Sequence, residues 1–298
     1  MLITPQFKAL KLAKVIGLDQ PLYIKREDQH ILGSHKGRSM PIMIEHHQKQ
    51  GWNNFCISSS GNAALAAILY IQEHNKIHPQ HPLSLSVYIG KNIDRYKQQI
   101  LEENIKDGLI TLEKVANPKQ TAFQMEKDEK AKFLRQSTDE IALEGYENLA
   151  EELLEIKDLS AVFIPTSSAT TAVGLYKGFK KNNAKIQIHI VQTPKCFPMI
   201  KNIDPNTKEL PTAEKSLAGA IVDKIAHRKD EISGIVKETD GYGWLAHDGE
   251  IKQIIKLVKD TTNLDISPNS ALSVVGLVKA MEKKWKFKGP VVCIFTGR

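Results

Sequence analysis

The sequence lacks the features that mark membrane and secreted proteins. Its longest apolar run, residues 63–71, is too short to cross a bilayer, which takes about 20 apolar residues. Residues 1–5 have neither the charged head nor the apolar stretch of a secretory signal. The three cysteines are odd in number and show no metal-ligand spacing. We therefore expect a cytoplasmic protein with no membrane segment and no disulfide framework.

Signatures of nucleic-acid, nucleotide and metal binding are also missing. The formal charge is +7, but the lysines are scattered among acids and form no basic patch interleaved with aromatics. The sequence contains no dinucleotide fingerprint and no Walker loop. His46 and His47 adjoin on a predicted helix, point in different directions and have no further ligand spaced for them. We predict that they lie on a solvated helix face, and we expect no metal site and no nucleic-acid partner.

Strand-like and helix-like segments alternate along the 298 residues, with no internal repeat or low-complexity linker. This alternation predicts an α/β fold with mostly parallel sheets. The predicted strands are residues 22–28, 54–58, 83–89, 109–115, 161–165, 186–192 and 291–295. The predicted helices are residues 37–50, 61–75, 95–105, 118–134, 146–156, 170–181, 250–261 and 269–284. Residues 196–239 are predicted to be less regular, and they include either a substrate-facing loop or an ordinary connection.

Four segments that follow or precede predicted strands carry groups capable of chemistry. The first, residues 33–40, reads GSHKGRSM and follows a strand that ends in Glu27-Asp28. Lys36 in this segment is either a surface charge, as most lysines are, or a nucleophile whose amine can lose its proton. The second, residues 58–62, reads SSSGN between a strand and a helix. Such a segment is either a plain N-cap formed by Ser60 or Asn62, or an anion site at a helix N-terminus.

The other two segments lie near the middle and at the end of the sequence. Residues 165–174 read PTSSATTAVG between a strand and a helix, and they are either a hydroxyl-rich cap or a phosphate loop. The strand predicted over residues 291–295 is followed by Thr296-Gly297. By itself that ending is a core strand that reaches a turn.

In this order, the four segments resemble the fold-type II pyridoxal-phosphate enzymes. This family includes threonine synthase, cysteine synthase, serine/threonine dehydratase and the tryptophan synthase β subunit. The resemblance implies a two-lobed fold in which each lobe is a mostly parallel sheet flanked by helices, with ligands bound at the carboxyl ends of the strands. The large cofactor-binding lobe would comprise residues 1–40 and 140–298, and the smaller inserted lobe would comprise residues 41–139.

The resemblance also implies the cofactor, pyridoxal 5'-phosphate, and a role for each matching residue. Lys36 would form a Schiff base with the cofactor aldehyde and move the α-proton of the substrate. The other implied cofactor-binding residues are Asn62, Ser167, Ser168, Ala169, Thr170, Thr171 and Thr296. The implied residues for the substrate carboxylate are Ser59, Ser60 and Gly61.

The chain departs from the family pattern at three places. Ser167, Ser168 and Ala169 stand where glycines usually permit positive φ and close backbone approach. Residues 267–270 read SPNS where many members have Glu-Pro-Ser. His35 stands in place of the usual Phe, as a structural filler or as an influence on the proton of Lys36.

The resemblance implies a lyase that performs elimination or replacement on an amino acid. The Lys36 segment and the Thr296-Gly297 ending are closest to threonine synthase, which converts O-phosphohomoserine to threonine and phosphate. The alternatives are a β-replacing synthase of the cysteine synthase type, a serine/threonine dehydratase, and a protein of this fold that binds without turnover. The implied partners are a small amino-acid substrate and a second copy of the chain in a homodimer.

Overall fold

The computed structural model describes residues 3–207 and 215–297 as ten strands and eleven helices, numbered here in chain order. The strands are β1 Gln6–Lys8, β2 Leu22–Arg26, β3 Asn54–Ser58, β4 Ser84–Gly90, β5 Ile110–Val115, β6 Lys132–Phe133, β7 Ala161–Pro165, β8 Gln187–Gln192, β9 Gly243–Leu245 and β10 Val291–Phe295. The helices are α1 Leu10–Val15, α2 Met40–Lys49, α3 Asn62–Ile77, α4 Arg95–Asn104, α5 Pro118–Lys127, α6 Ile141–Leu154, α7 Thr170–Lys181, α8 Pro198–Ile203, α9 Lys229–Glu238, α10 Asp248–Thr262 and α11 Pro268–Glu282. No helix within the described residues is long and apolar enough to span a membrane.

The chain divides into two compact units. The large unit comprises Met1–Gln29 and Tyr146–Arg298, and the small unit comprises His30–Gly145. The small unit is longer than the predicted smaller lobe, residues 41–139, and it includes Lys36, which the prediction assigned to the larger lobe. The reason is that the turn bearing Lys36 packs against α2 and α3, two helices of the small unit.

The large unit is built on a six-stranded sheet in the order β1-β2-β10-β7-β8-β9. All neighbouring strands are parallel except β1, which pairs antiparallel with β2. Every residue of β7 and β10 is buried. Continuous apolar strands of this kind are typical of a parallel sheet that is covered on both faces. The sheet therefore places β7 and β10 side by side at the centre of the large unit.

The small unit is built on a four-stranded, fully parallel sheet in the order β5-β4-β3-β6. Its apolar core combines the buried faces of α2 and α3 with side chains from the strands, among them Ile57, Val87 and Ile89. The predicted α/β fold with parallel-dominated sheets is therefore confirmed in both units. The predicted bounds of β3, β7, α7 and β10 match the structure residue for residue.

One predicted helix was too long. The helix predicted over residues 118–134 ends at Lys127, because Glu129 takes a φ of 54°, a left-handed conformation that ends helices. The short strand β6 then pairs with β3. Residues 196–239, predicted to be less regular than the rest, contain the helices α8 and α9 and irregular stretches among the described residues, while residues 208–214 lie outside them. The short elements β1, α1 and β9 were not predicted.

The prediction of a solvated face for His46 and His47 was wrong for His47. His47 is buried, and its Nε2 lies 2.8 Å from Oδ2 of Asp139. Its Nδ1 lies 3.1 Å from Oε1 of Gln50, so both ring nitrogens have protein partners. His47 therefore joins α2 to the residues that precede α6.

Thr4, Lys25, Glu27 and Glu152 form a buried network of polar groups in the large unit. Nζ of Lys25 donates to Oε2 of Glu152 at 2.5 Å and to the backbone oxygen of Thr4 at 2.9 Å. Oγ1 of Thr4 donates to Oε1 of Glu27 at 2.5 Å. Pairing with a carboxylate offsets the loss of hydration that burial imposes on the Lys25 amine.

Candidate active site

The predicted loops follow strands that lie where the order of strands in each sheet reverses. In the large unit the chain passes from β7 to β8 on one side, while β10 lies against the other side of β7. In the small unit it passes from β3 to β4 on one side, while β6 lies on the other. Open parallel sheets bind ligands at such switch points, beyond the carboxyl ends of the strands. The loops after β3, β7 and β10 are therefore at the positions where ligand binding is expected.

Lys36 lies in a short 3-10 turn, His35–Arg38, that leads into α2. Oγ of Ser34 accepts a hydrogen bond from the backbone N–H of Lys36 at 3.3 Å. Two glycines allow this turn to pack closely against its neighbours. A Cβ on Gly37 would overlap the His30 imidazole, and a Cβ on Gly145 would overlap the Arg38 carbonyl. The turn therefore packs closely against His30 on one side and against α6 on the other.

The amine of Lys36 has lost most of its hydration without gaining a counter-ion. Burial lowers the pKa of Lys36 from the ordinary 10.5 to about 8. Within residues 3–207 and 215–297, no carboxylate forms an ion pair with this amine. Because desolvation disfavours the charged form, a substantial fraction of Lys36 is neutral near physiological pH. A neutral amine is the form that can act as a nucleophile or a base.

The segment Ser58-Ser59-Ser60-Gly61-Asn62 connects β3 to α3 and is not the plain N-cap that was considered. The N-cap of α3 is Gly61, which has no side chain to accept hydrogen bonds from the first turn. Oγ of Ser59 accepts a bond from the backbone N–H of Gly61 at 3.3 Å. Within the described part of the chain, the side chains of Ser60 and Asn62 form no hydrogen bond. Both are partly exposed, so they can contact a ligand.

The loop between β7 and α7 also differs from a hydroxyl cap. Its N-cap residue is Ala169, whose side chain cannot accept hydrogen bonds and whose backbone is left-handed, with φ 65° and ψ 0°. Oγ of Ser168 lies 3.0 Å from Oγ1 of Thr170. The backbone conformation that the family's glycines permit is therefore present, although an alanine adopts it. A helix N-terminus flanked by hydroxyls is suited to a phosphate.

Ser167 has different contacts from its neighbours in this loop. Its Oγ accepts hydrogen bonds from the backbone N–H groups of Val222 at 3.1 Å and Asp223 at 3.2 Å. Both lone pairs of the hydroxyl are therefore used by another segment of the large unit. Only the hydroxyl proton remains for a further partner.

Thr296 follows β10 directly and is buried. The backbone oxygen of the next residue, Gly297, accepts hydrogen bonds from Oγ of Ser267 at 2.5 Å and from Oγ of Ser270 at 3.0 Å. Ser267 is also the N-cap of α11 and accepts from the Ser270 N–H. Ser267 and Ser270, in the segment that reads SPNS, therefore hold Gly297, the residue next to Thr296.

The structure places the predicted site residues in two groups. Lys36 and the segment from Ser59 to Asn62 belong to the small unit, while the β7–α7 loop and Thr296 belong to the large unit. In the large unit, β7 and β10 are paired in parallel, with Cys293 opposite Phe163. Continuing this register brings the loop after Pro165 and the residue after Phe295 to one edge of the sheet.

Gly145, where a Cβ would overlap the backbone of the Lys36 turn, is a close-packing residue that the sequence reasoning missed. A lone glycine inside a periodic apolar helix is a signal of close packing. The helix was predicted to begin at Tyr146, so the glycine was not seen as internal to it. His30, which packs against Gly37, gives no comparable signal in the sequence.

No group of three His, Cys, Asp or Glu side chains among the described residues is arranged to hold a metal ion.

The family pattern described as "Pyridoxal-phosphate dependent enzyme" matches residues 2–297 of the chain. The chain therefore belongs to this family of fold-type II enzymes, and its cofactor is pyridoxal 5'-phosphate. Curated relatives include a threonine synthase from Methanosarcina acetivorans, 23% identical over 99% of this chain and 74% of the relative. A threonine synthase from Methanocaldococcus jannaschii is likewise 23% identical, over 99% and 74% of the two chains.

Solved structures with the same fold carry other names. Threonine deaminase isoform 2 from Solanum lycopersicum, in its processed form, has a TM-score of 0.81 at 20% identity, over 99% of this chain and 78% of that one. Serine racemase from maize has a TM-score of 0.79 at 17% identity, over 99% and 87%. At such identities these structures share the fold with this chain.

The residues present fit the cofactor. Burial lowers the pKa of Lys36 to about 8, so part of this amine is unprotonated near neutral pH, as a bond to an aldehyde requires. The first turn of α7 has a left-handed N-cap without an accepting side chain, so it can receive a phosphate. Serine and threonine hydroxyls at this turn supply further donors.

The pKa of Lys36 predicts its reactivity in the cofactor-free protein. The neutral amine is the reactive form, so acetylation of Lys36 by acetic anhydride should rise with pH through a midpoint near 8. The rate is read by mass spectrometry of the Lys36 peptide and normalised to the exposed Lys76 in the same digest. A midpoint at the ordinary lysine value of 10.5 would contradict the desolvation of this amine.

The left-handed Ala169 predicts an unusual stabilising substitution. A side chain at positive φ is strained, so Ala169→Gly should raise the free energy of unfolding by about 0.5–1 kcal/mol. The matched control is Ala172→Gly in the same helix, where glycine should lower stability by about 1 kcal/mol. Urea unfolding of the cofactor-free protein measures both. Equal losses in the two variants would show that Ala169 is not strained.

Proposed function

We propose that the chain catalyses elimination or replacement on an amino-acid substrate, with threonine synthase-like conversion of O-phosphohomoserine to threonine and phosphate. The observation that carries the proposal is the Lys36 amine, whose pKa burial lowers to about 8 within the turn Ser34-His35-Lys36-Gly37-Arg38. An amine with the ordinary pKa of 10.5 would be almost entirely protonated at physiological pH, and it would serve poorly as the cofactor's attachment point or as a base.

Each part of the site has one role in this proposal. Bound pyridoxal phosphate supplies an electron sink for negative charge at the substrate Cα. Lys36 would hold the cofactor, and its amine would take the α-proton of the substrate and return it later. Ser59, Ser60 and Gly61 bind the substrate carboxylate, because hydroxyl and backbone donors at a helix N-terminus favour an anion. Asn62 contacts the cofactor's 3'-oxygen.

The β7–α7 loop and Thr296 complete the cofactor contacts. Residues 167–171 bind the phosphate through backbone N–H groups and hydroxyls. Thr296 would offer the pyridine nitrogen a hydroxyl, which would not hold that nitrogen protonated as a carboxylate would. A hydroxyl at this position would favour elimination and replacement over transamination.

The choice of threonine synthase rests on sequence. Ser34, Lys36, Arg38 and Met40 keep the spacing of the threonine synthase segment, and the curated relatives at 21–23% identity carry that name. A serine/threonine dehydratase is the second candidate, because a threonine deaminase shares the fold over 99% of this chain. A β-replacing synthase and a binding protein without turnover are the other outcomes that the assay below distinguishes.

The proposal also includes the cellular setting. All three cysteines are buried and free, which fits a reducing cytoplasm. Family membership favours a homodimer that acts on a free amino acid. Sedimentation of the purified protein tests the homodimer.

The purified holoenzyme should release phosphate and form threonine from O-phospho-L-homoserine. Lys36→Ala should lower this turnover by at least about 100-fold, because the proton-transfer group is removed. It should remain folded by circular dichroism. The same plate includes L-threonine and L-serine, read as keto acid, and O-acetyl-L-serine with sulfide, read as cysteine.

Each possible result of this assay has one reading. Keto acid as the sole product would replace the threonine synthase assignment by the dehydratase, and cysteine by the β-replacing synthase. Inactivity on every substrate would favour the binding protein. Undiminished turnover by the Lys36→Ala variant would contradict the role of Lys36.

A further inference from the structure

Two histidines form a pair at the end of α3 in the small unit. His74 lies in the last turn of the helix, and His78 is the C-cap residue that follows it. The N–H of His78 donates to the backbone oxygen of His74 at 2.8 Å, so the helical hydrogen-bond pattern continues through His78. Residues four apart in a helix lie on the same face. The two imidazole rings are accordingly neighbours, with their centroids 4.8 Å apart and their planes inclined by 47°.

The hydrogen bonding of His74 determines which of its nitrogens can bind a ligand. Nε2 of His74 lies 3.3 Å from the backbone oxygen of His81. A carbonyl oxygen only accepts, so Nε2 carries the proton and Nδ1 carries the lone pair. Among the described residues, no group forms a hydrogen bond with Nδ1 of His74 or with the ring of His78. His74 is partly exposed and His78 is exposed, so a ligand from solution can reach both rings.

The turn that supplies the His81 carbonyl is fixed to the helix. The side chain of Asn75, next to His74, accepts a hydrogen bond from the N–H of Leu83 at 2.7 Å and donates to the Leu83 oxygen at 2.9 Å. The N–H of His81 donates to the backbone oxygen of His78 at 3.0 Å. Metal-binding histidines almost always donate their second ring N–H to a carbonyl, a carboxylate or water. The carbonyl that orients His74 therefore belongs to a defined turn and has the chemistry of such a partner.

The distance between the rings suits one shared metal ion. An imidazole nitrogen lies about 1.2 Å from its ring centre and binds a late divalent ion at about 2.0 Å, so each ring centre is about 3.2 Å from the ion. Two rings placed at a right angle or at the tetrahedral angle around that ion have their centres about 4.5–5.2 Å apart. The 4.8 Å between His74 and His78 lies within this interval. The spacing of the pair is therefore that of two ligands of one ion.

We propose that His74 and His78 form a two-histidine site for a late divalent transition ion of the class Cu²⁺, Ni²⁺ or Zn²⁺. Neutral imidazole is a usual ligand of these ions, whereas Mg²⁺ and Ca²⁺ prefer oxygen ligands. No third His, Cys, Asp or Glu side chain in the described part of the chain completes the site. Water therefore fills the remaining positions around the ion.

The site is independent of the proposed reaction. Both ligands and the His81 carbonyl belong to the small unit, and none of them lies in a segment assigned to the cofactor. The sequence predicted no metal site from the adjacent pair His46 and His47, whereas these two histidines are four apart and share one helix face. An ion that joins His74 to His78 closes the last turn of α3 and stabilises it.

Calorimetric titration of the holoenzyme, without a histidine tag and without amino acids, tests the site. Cu²⁺ should bind with a stoichiometry of one and more tightly than Zn²⁺, while Mg²⁺ should not bind. His74→Gln and His78→Gln should each weaken Cu²⁺ binding at least about tenfold, because each removes one of the two ligands. His227→Gln removes an exposed histidine of the large unit and should bind like the parent. Equal Cu²⁺ affinity in the parent and in the first two variants would overturn the site and leave a pair of neighbouring rings.

A third variant and a second measurement test the arrangement of the ligands. His81→Gln keeps the backbone oxygen that orients His74, so it should bind Cu²⁺ like the parent, and a tenfold loss in this variant would contradict a two-histidine site. Saturating Zn²⁺ should slow hydrogen exchange of the His78 amide about tenfold, because that amide donates to the His74 oxygen and closes the clamped turn. The effect should be absent in His74→Gln. Unchanged exchange in the parent with Zn²⁺ bound would show that the ion does not join the two histidines.

Discussion

The loss of hydration at one amine is the constraint on which the candidate site depends. Two lysines of this chain illustrate the two ways in which a protein can treat a lysine removed from water. Lys25 is buried and lies 2.5 Å from the carboxylate of Glu152. Lys36 has no such partner among the described residues, and burial lowers its pKa to about 8. An unpaired amine of this kind destabilises a fold, and it is retained where chemistry needs it.

Each unit places its loops beyond the strand ends of a mostly parallel sheet in which the order of the strands reverses. In the small unit, β3 leads into the segment with Ser59 and Ser60, and Gly37 and Gly145 let the Lys36 turn pack without side chains in the way. In the large unit, the pairing of β7 with β10 brings the α7 N-terminus and Thr296 to one edge. The parallel sheets therefore supply positions, and the loops supply the groups that react or bind.

The sequence predicted much of this arrangement, for reasons that are local. Strands β7 and β10 are continuous apolar runs, and β3 is an apolar core of three residues between Asn54 and Ser58, so their ends were predicted correctly. The end of helix α5 at Lys127 was not predicted. Glu129 is a good helix former by residue type, and its left-handed φ is set by tertiary packing. The role of Ser167 could not be predicted either, because its partners Val222 and Asp223 are 55 and 56 residues away in sequence.

Borohydride reduction of the purified holoenzyme tests the central claim most directly. Reduction fixes pyridoxal phosphate to whichever amine holds it, and peptide mass spectrometry then locates the label. The account predicts a single label on Lys36, and none in Lys36→Ala, although that variant keeps the other lysines of the chain. A label on another lysine, or an equal label in the variant, would contradict the assignment of the desolvated amine as the site of cofactor attachment.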